Sequence, residues 1–368
     1  MKILITGGAG FVASYLVKEC LDRGDTVIIT TRWNEDLSRL EQFKHTIYSD
    51  LIIENVELTD LSSVIRVINK HRPDVISHLA AQSWVPYSMD NPIYTMKNNV
   101  ESTLNILEAV RLIKDIDSKY TNGIYNSYKK LKLTALNLVD EDKTEELDKE
   151  VRRQIFYNPL IHICSSSEFY GKVDELPITE NHKANPGNVY GVSKTAGDFL
   201  AQLYSQYYDL RILITRMFTH TGAGRTMMSA ENYYARQVAN LESKIGLEPV
   251  ITIGDEVAMN SLRTWADVRD AVKNYYTLFK NQKTGIYNIS GETTKTIWEV
   301  LKYLISISNI ENKDKIQFIV DPQFIRKINV DKQIVDISKF KQENEWSNSI
   351  SFEELMQSLL DYWREKIK

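Results

Sequence analysis

Hydrophobic residues in the first third of the chain follow two alternating spacings. Short apolar, β-branched runs predict buried strands over Lys2–Thr6, Thr26–Thr31 and Val75–Leu79. Apolar residues at helical spacing between these strands predict helices over Val12–Arg23 and Leu61–Lys70. Strands that alternate with helices are typical of βαβ units, in which helices cover both faces of a parallel sheet. The pattern therefore predicts an α/β fold with a doubly wound parallel sheet.

The middle of the chain interrupts this alternation. A further amphipathic helix is predicted over Val100–Lys114, and the next buried strand over Leu160–Ser165. Between them, a segment of about residues 115–158 is rich in Lys, Asp, Glu, Asn and Tyr. This composition predicts an insertion with one helix, roughly Lys143–Gln154. We interpret the insertion as a solvent-exposed helical segment with no chemical role. The alternative is that it contacts another subunit or the substrate.

After the insertion the alternation of strands and helices resumes, and after Gly222 it becomes less regular. A long helix is predicted over Tyr190–Tyr207 and a strand over Arg211–Arg216. After Gly222 the predicted elements are shorter: strands over Pro249–Ile253, Gly285–Ile289 and Ile316–Val320, and helices over Thr296–Ile307 and Phe352–Lys366. We expect residues 1–217 to form the doubly wound domain. Residues 218–368 are expected to form mainly a smaller α+β cap, with some segments that return to the sheet.

Composition excludes several classes of protein. Of 368 residues, 43% are hydrophobic and 26% charged, which excludes fibrous and wholly disordered chains. The 45 basic and 49 acidic side chains give a net charge of -4, without the basic excess of a nucleic-acid-binding protein. The two cysteines, Cys20 and Cys164, have no zinc spacing, so we expect no metal site and a reduced, cytoplasmic protein. No apolar run approaches the roughly 18 residues of a membrane span.

A glycine-rich turn joins the first predicted strand to the first helix. It reads Thr6-Gly7-Gly8-Ala9-Gly10-Phe11-Val12-Ala13. Gly7 permits a tight turn, Gly10 lets the backbone approach a pyrophosphate, and Ala13 lets helix and strand pack closely. The helix start at Phe11 and Val12 then offers free N–H groups and a positive dipole end to phosphates. This context predicts a dinucleotide-binding domain of the Rossmann type.

The end of the second predicted strand bears on the choice of dinucleotide. Sites for NAD usually place Asp or Glu there, which accepts a hydrogen bond from the ribose 2′-hydroxyl. This chain instead carries Arg32, and an arginine can pair with a 2′-phosphate. The sequence therefore favours NADP over NAD.

Two pairs of polar side chains carry the candidate chemistry. Tyr190 and Lys194 are four residues apart, so they share one face of the predicted helix. An ammonium beside a phenol favours the phenolate, so we expect a lowered pKa for Tyr190 and acid–base activity near neutral pH. Ser166 and Glu168 follow the carboxyl end of a strand, where ligands bind in open α/β sheets. The hydroxyl can hold a substrate oxygen, and the carboxylate can move a second proton.

Together these motifs resemble the extended short-chain dehydrogenase/reductase superfamily, over nearly the whole chain except the insertion. More narrowly, the chain resembles the GDP-mannose 4,6-dehydratase family. The matching strings are His78–Ser83, Pro92–Thr95, Ser165–Gly171, Arg216–Gly222, Asp321–Arg326 and Leu360–Glu365. The chain departs from that family at Ser166, where the dehydratases carry Thr and many 4-reductases and 4-epimerases carry Ser. It also has Thr264 and Asn329 where the family has acids.

The resemblance implies a set of cofactor and substrate contacts. Glu57 and Leu58 would flank the adenine. The other implied cofactor contacts are Leu79, Ala80, Ala81, Ser83, Tyr94, His220 and Arg225, beside Gly7, Gly10, Phe11, Val12, Arg32, Tyr190 and Lys194. The implied substrate contacts are Ser83, Ser166, Thr219, Arg263 and Arg326. The last two are arginines whose guanidinium forks suit a nucleotide diphosphate.

The resemblance also implies the reaction. The chain would be a hydro-lyase that converts a GDP-hexose to its GDP-4-keto-6-deoxy sugar. Tyr190 would take the 4-hydroxyl proton while the C4 hydride passes to NADP, and Ser166 would hold the oxygen. Glu168 would then remove the C5 proton as water leaves C6. A GDP-4-keto-6-deoxy-sugar reductase or nucleotide-sugar 4-epimerase, which needs no C5 base, is the alternative. A non-catalytic nucleotide-sensing protein is a second alternative, and mannose, a heptose or an amino sugar all stay open.

Two predicted helices match those that join subunits in the superfamily. Val100–Lys114 carries Leu104, Leu107 and Val110, and Tyr190–Tyr207 carries Phe199, Leu203 and Tyr207. Some of these residues must face the sheet of their own chain, and the surplus is available to a partner. We therefore expect a homodimer or a homotetramer built as a dimer of dimers.

Overall fold

The computed structural model describes residues 1–41, 50–117, 157–227, 229–243, 249–322 and 332–368. Its strands are β1 (Lys2–Thr6), β2 (Thr26–Thr31), β3 (Leu51–Asn55), β4 (Val75–His78), β5 (Leu160–Ser166), β6 (Arg211–Met217), β7 (His220–Thr221), β8 (Val250–Ile253), β9 (Leu262–Asp267), β10 (Gly285–Ile289), β11 (Thr293–Thr296), β12 (Gln317–Val320) and β13 (Lys332–Gln333).

Helices connect most of these strands. They are α1 (Phe11–Asp22), α2 (Ser38–Glu41), α3 (Leu61–His71), α4 (Val85–Asp90), α5 (Pro92–Met96), α6 (102–117), α7 (Val189–Tyr208), α8 (Ala230–Ser243), α9 (Glu256–Met259), α10 (Val268–Lys280), α11 (Ile297–Ser306), α12 (Ser338–Glu343) and α13 (Phe352–Ile367). One π-helical turn, Lys97–Glu101, leads into α6. In the described part of the chain, no helix is long and apolar enough to cross a membrane.

Seven parallel strands form the main sheet in the order β10-β6-β5-β4-β1-β2-β3. Successive residues of a strand face opposite sides, so Ile3 and Ile5 join the core on one face and Leu4 joins the core on the other. Because helices cover both faces, the strands are rich in apolar residues on both faces rather than alternating. The predicted α/β fold with a doubly wound parallel sheet is confirmed.

A separate core lies among the elements that follow β6. Buried residues of α8, α11 and α13 form this core, and Tyr234, Leu304 and Leu359 are among them. The short strands β11, β9 and β13 form a sheet in that order, and β7 also pairs with β9. Two later segments belong to the main sheet instead, because β10 pairs with β6 and α10 packs on α1.

Several elements were absent from the sequence-based prediction. These are mainly β3, α8 and α10, together with the short helices and strands around the two sheets. The insertion was predicted over about residues 115–158, of which 118–156 lie outside the described residues, as does the predicted helix Lys143–Gln154. The start of α7 lies one residue before the predicted start at Tyr190.

Candidate active site

The glycine-rich turn lies against the segment that follows β4. Gly7 has a φ of 66°, and a Cβ there would lie 3.0 Å from the Cα of Ala80. The Thr6 hydroxyl oxygen accepts hydrogen bonds from the backbone N–H groups of Leu79 and Ala80, each at 3.1 Å. Gly10 is the N-cap of α1 and makes no side-chain hydrogen bond. The backbone N–H groups in the first turn of α1, at Phe11 and Val12, are therefore not capped by a side chain. A helix start with free main-chain N–H groups therefore follows a close-packed glycine turn, an arrangement that suits a phosphate.

Asn99 holds the other end of that segment, and sequence analysis missed this residue. Its Oδ1 accepts from the Gln82 N–H at 2.7 Å, and its Nδ2 donates to the Gln82 carbonyl at 2.9 Å. The same Nδ2 lies 2.9 Å from the Ser193 hydroxyl on α7. Asn99 therefore ties the candidate cofactor segment, with Ala81 and Ser83, to the helix that carries Tyr190.

Arg32 stands at the carboxyl end of β2 with its side chain 66% exposed. Its guanidinium donates two hydrogen bonds to Glu35, at 2.8 and 3.3 Å. The pKa of Arg32 is raised, chiefly by Glu35 and less by Tyr94 and Glu57. Glu57 follows β3 and accepts two hydrogen bonds from Thr59, which lower the pKa of Glu57. These groups therefore gather at one end of the sheet.

Leu58 and Tyr94 border the same end of the sheet. The carbonyl of Leu58 accepts a hydrogen bond from the Asn105 amide at 2.9 Å, which anchors the loop after β3 to α6. The ring of Tyr94 meets that of Tyr87 edge-on at 6.0 Å, and Tyr87 stacks on Trp84. Leu58 thus lies in the loop after β3, and Tyr94 lies on the short helix α5.

Ser166 and Tyr190 meet where β5 ends. The Ser166 hydroxyl accepts the Glu168 N–H at 3.2 Å and lies near enough to the Tyr190 phenol to lower its pKa. Burial raises the pKa of Tyr190, and the Cys164 thiol and Glu168 act in the same direction. The Ser166 hydroxyl and the charge of Arg225 oppose that rise. The expected lowering of the Tyr190 pKa is therefore wrong for this structure.

Burial of the phenol is the largest cause of that difference, and Lys194 does not offset it. The Lys194 ammonium donates to the Cys164 carbonyl at 2.8 Å and lies 6.0 Å from the centre of the Tyr190 ring. Burial lowers the pKa of Lys194. The helical spacing does bring Lys194 to the side of Tyr190, but a backbone oxygen takes its hydrogen bond.

Glu168 is held by Asn188, a second residue that sequence analysis missed. The Asn188 Nδ2 donates to Glu168 Oε2 at 2.7 Å, and its Oδ1 caps α7 by accepting the Gly191 N–H at 2.8 Å. The helix start also packs on the Glu168 backbone, because a Cβ at Gly191 would lie 2.8 Å from the Glu168 carbonyl oxygen. Asparagine is a common helix N-cap, so the cap was readable from sequence but the contact with Glu168 was not.

The segment after β6 brings in His220 and Arg225. The Nδ1–H of His220 donates to the Phe218 carbonyl at 3.0 Å, and burial lowers the pKa of His220 to about 4. The Arg225 guanidinium donates to the His220 carbonyl and lies 3.7 Å from Glu231. Thr219 accepts the Ala266 N–H through its own carbonyl, which joins this segment to β9.

Of the two arginines predicted to hold a diphosphate, Arg263 lies among the described residues. Arg263 lies in β9 and donates from Nη1 to the Leu262 carbonyl at 2.9 Å. Arg326 and Asn329 lie outside the described residues. The adjacent β13 places buried Gln333 beside Ser167, with the Ser167 hydroxyl 3.5 Å from Gln333 Oε1. Among the side chains that the structure describes, no cluster of His, Cys, Asp and Glu fits a metal ion.

The chain is similar to known proteins in sequence and in fold. The model of the NAD dependent epimerase/dehydratase family matches residues 3–290. A GDP-mannose 4,6-dehydratase of Yersinia enterocolitica is 27% identical, over 96% of this chain and 91% of that protein. A dTDP-glucose 4,6-dehydratase of Haemophilus influenzae is 24% identical, over 99% and 98%. The structure of a Thermotoga maritima UDP-glucose 4-epimerase superposes with a TM-score of 0.76 at 20% identity, over the full length of both chains.

Proposed function

The chain belongs to the NAD dependent epimerase/dehydratase family, and from that premise we propose that it is a nucleotide-sugar 4,6-dehydratase. The observation that carries this proposal is Glu168, a carboxylate two residues beyond Ser166 that acts on the pKa of Tyr190. A dehydratase needs such a base at C5, and an epimerase does not. The proposed substrate is a GDP-hexose and the proposed cofactor is NADP.

The residues present fit a dinucleotide. The main-chain cradle of Gly7, Gly10, Phe11 and Val12 suits a pyrophosphate, and the Thr6-tethered turn at Leu79–Ala80 closes one side. The remaining proposed cofactor contacts are Arg32, Glu57, Leu58, Ala81, Ser83, Tyr94, Tyr190, Lys194, His220 and Arg225. When bound, the nicotinamide supplies a reversible hydride acceptor, which no side chain can replace. Residues 1–217 would form this dinucleotide-binding domain and 218–368 mainly the cap.

Tyr190 is the proposed base for the sugar 4-hydroxyl, and Ser166 holds that oxygen. Ser166 acts on the pKa of Tyr190, so both groups are near enough to act on the same substrate oxygen. Because burial raises the pKa of Tyr190, the phenolate needs nearby positive charge. Lys194 and Arg225 are the proposed sources, with Lys194 also bound to the nicotinamide ribose.

Glu168 is the proposed base for the second step. A ketone at C4 acidifies the C5–H bond, and Glu168 takes that proton while the C6 hydroxyl leaves. The proton from C5 and the hydroxyl from C6 together account for the water lost. With the C4 hydride returned to C6, and with the proton that Tyr190 took from the 4-hydroxyl making up for the one lost from C5, the products would be the 4-keto-6-deoxy sugar and one water, and the bound nicotinamide would end in its starting oxidised form. The proposed contacts that hold the substrate through this cycle are Ser83, Ser166, Thr219, Arg263 and Arg326.

Ser166 supports one second candidate function. A serine at this position also suits a GDP-4-keto-6-deoxy-sugar reductase or a 4-epimerase, in which Ser, Tyr and Lys act without a C5 base. In that case Glu168 would have no role in proton transfer. The two functions differ in whether water is lost from the substrate.

The deciding experiment offers the whole protein a panel of sugars. GDP-mannose and dTDP-glucose are incubated separately with protein and NADP, and mass spectrometry follows the loss of water. A 4-keto-6-deoxy sugar with NADPH tests the reductase. Loss of water from GDP-mannose alone supports the full proposal, and loss from dTDP-glucose alone would correct the nucleotide. Reduction of the keto sugar without any dehydration would favour the second candidate.

A homodimer or a dimer of dimers is part of the proposal. Phe199, Leu203 and Tyr207 are all at least half exposed on α7, and Leu104 on α6 is also exposed. Large apolar side chains grouped on neighbouring helices are typical of a protein interface. We propose that a second copy of the chain covers this face.

A further inference from the structure

We propose that Asn188 is a positioning residue that fixes the Glu168 carboxylate to the first turn of the helix carrying Tyr190 and Lys194. This inference rests on the proposed function, since it assigns a purpose to the orientation of the proposed C5 base. Asn188 fixes the position of two parts of the reaction centre relative to each other. One part is the β5 end with Ser166 and Glu168, and the other is α7.

The two ends of the Asn188 amide do different work. Oδ1 accepts the backbone N–H of Gly191, and Nδ2 donates to Glu168 Oε2. The partners fix which end is which, because a backbone N–H can only donate and an ionised carboxylate can only accept. A serine would have to perform both tasks through one oxygen, and an aspartate would have no hydrogen to donate.

A neutral donor suits a carboxylate that must act as a base. A lysine or arginine in the same place would form an ion pair and make proton uptake by Glu168 harder. An amide orients the carboxylate through a hydrogen bond of 2.7 Å and adds no charge. The adjacent close packing of Gly191 on the Glu168 backbone limits how far the two parts can slide.

Three substitutions separate orientation from helix capping. Asn188→Ser keeps a good cap and loses the amide donor, Asn188→Asp keeps the cap and places a second carboxylate opposite Glu168, and Asn188→Ala loses both. Asn185→Ser is the matched control. It lies in the same loop and removes a 2.7 Å hydrogen bond to the Lys172 carbonyl, without any bond to Glu168 among those described.

Each variant of the full-length protein is tested with GDP-mannose and NADP. In Asn188→Ser we expect normal thermal stability and a normal first half-reaction, read as reduced cofactor. Loss of water should slow by on the order of tenfold to a hundredfold, the usual effect of misplacing a reacting group by about 1 Å. In Asn188→Asp, the acidic limb of the dehydration pH profile should move to higher pH, because two facing carboxylates resist ionisation together. Asn185→Ser should match the parent protein.

Two results would overturn the proposal. One is dehydration at the parent rate by Asn188→Ser, and the other is an equal loss of both half-reactions and of stability, which would mean a cap only. A titration of the ¹³C-labelled Glu168 carboxyl by NMR reads the contact without any turnover. If the parent protein dehydrates no sugar, the proposed function fails. An unchanged titration midpoint in Asn188→Asp overturns the positioning role separately.

Discussion

Arg32 and Glu35 form a two-bond ion pair on the turn after β2, at the point where a dinucleotide ribose would lie. A 2′-phosphate would have to compete with Glu35 for the guanidinium. The two side chains are 66% and 30% exposed and can reorient. The pair is therefore a surface ion pair rather than a fixed structural contact.

This pair leads to a prediction about cofactor choice. Arg32→Ala should weaken NADP binding by about 1.5–3 kcal/mol, the worth of a charged bidentate contact, and should leave NAD binding nearly unchanged. Glu35→Gln should act in the opposite direction and raise the preference for NADP, because Arg32 is released. Calorimetric titration with both cofactors measures this. Equal losses for NADP and NAD in Arg32→Ala would rule out the 2′-phosphate contact.

A second prediction concerns the role of Glu168. Glu168→Gln should keep cofactor binding and the first half-reaction, because Tyr190 and Lys194 remain in place. It should slow dehydration by about a hundred- to ten-thousandfold, the usual contribution of an acid–base group. Reduced cofactor should therefore accumulate on the protein, visible by its absorbance. Glu175→Gln, in the exposed part of the same loop, is the control. Near-normal loss of water from GDP-mannose by Glu168→Gln would refute the assignment.

A third prediction follows from two buried histidines. Burial lowers the pKa of His78 and of His162 to about 3, against an ordinary value of 6.5. Between those pH values the unfolded chain binds more protons than the folded chain. The stabilisation is thus complete above pH 6.5 and is lost as the pH falls towards 3. The neutral His162 ring is placed by Ser77 and Thr215, at 2.9 and 2.8 Å.

Urea unfolding between pH 5 and 8 tests this linkage. His162→Gln should reduce the pH dependence of the unfolding free energy by up to about 1.4 kcal/mol per pH unit. An unaltered slope in His162→Gln would show that the buried ring does not control acid stability.

A fourth prediction tests the proposed subunit contact. Leu203→Glu should convert the oligomer to a smaller species, because burying an unpaired charge in an apolar interface is costly. Val257→Glu is a matched control, since the two side chains are 53% and 51% exposed and Val257 lies on α9, away from α7. Light scattering at micromolar concentration gives the mass of each. A monomeric parent protein would contradict the proposal outright.

Sequence alone predicted the parts of the site that stand at the ends of periodic elements. Gly7, Arg32 and Ser166 each follow a buried apolar run, so the strand pattern places them at one edge of the sheet. Asn99 and Asn188 were missed for a physical reason. Their contacts join residues 17 and 20 positions apart through loop geometry, and no spacing rule records such contacts.

The missed helices have a different cause. The packed face of α10 contains buried Asp270 and Asn274, which bond to Ser347 and neighbouring residues of the C-terminal segment. In α8, Glu231 and Asn232 are likewise buried. Polar residues at core-facing positions blur the amphipathic period, because their partners come from distant parts of the chain.

The position of β10 has a consequence for biosynthesis. During vectorial synthesis, the first six strands of the main sheet emerge from the ribosome before the cap, but their outermost neighbour emerges only after β7, β8 and β9. Until Gly285–Ile289 is available, β6 presents an open edge and one hydrophobic layer lacks α10. Premature termination between β6 and β10 would therefore leave a nascent chain with an unpaired sheet edge and exposed apolar surface, and chaperone demand should be greatest in that interval.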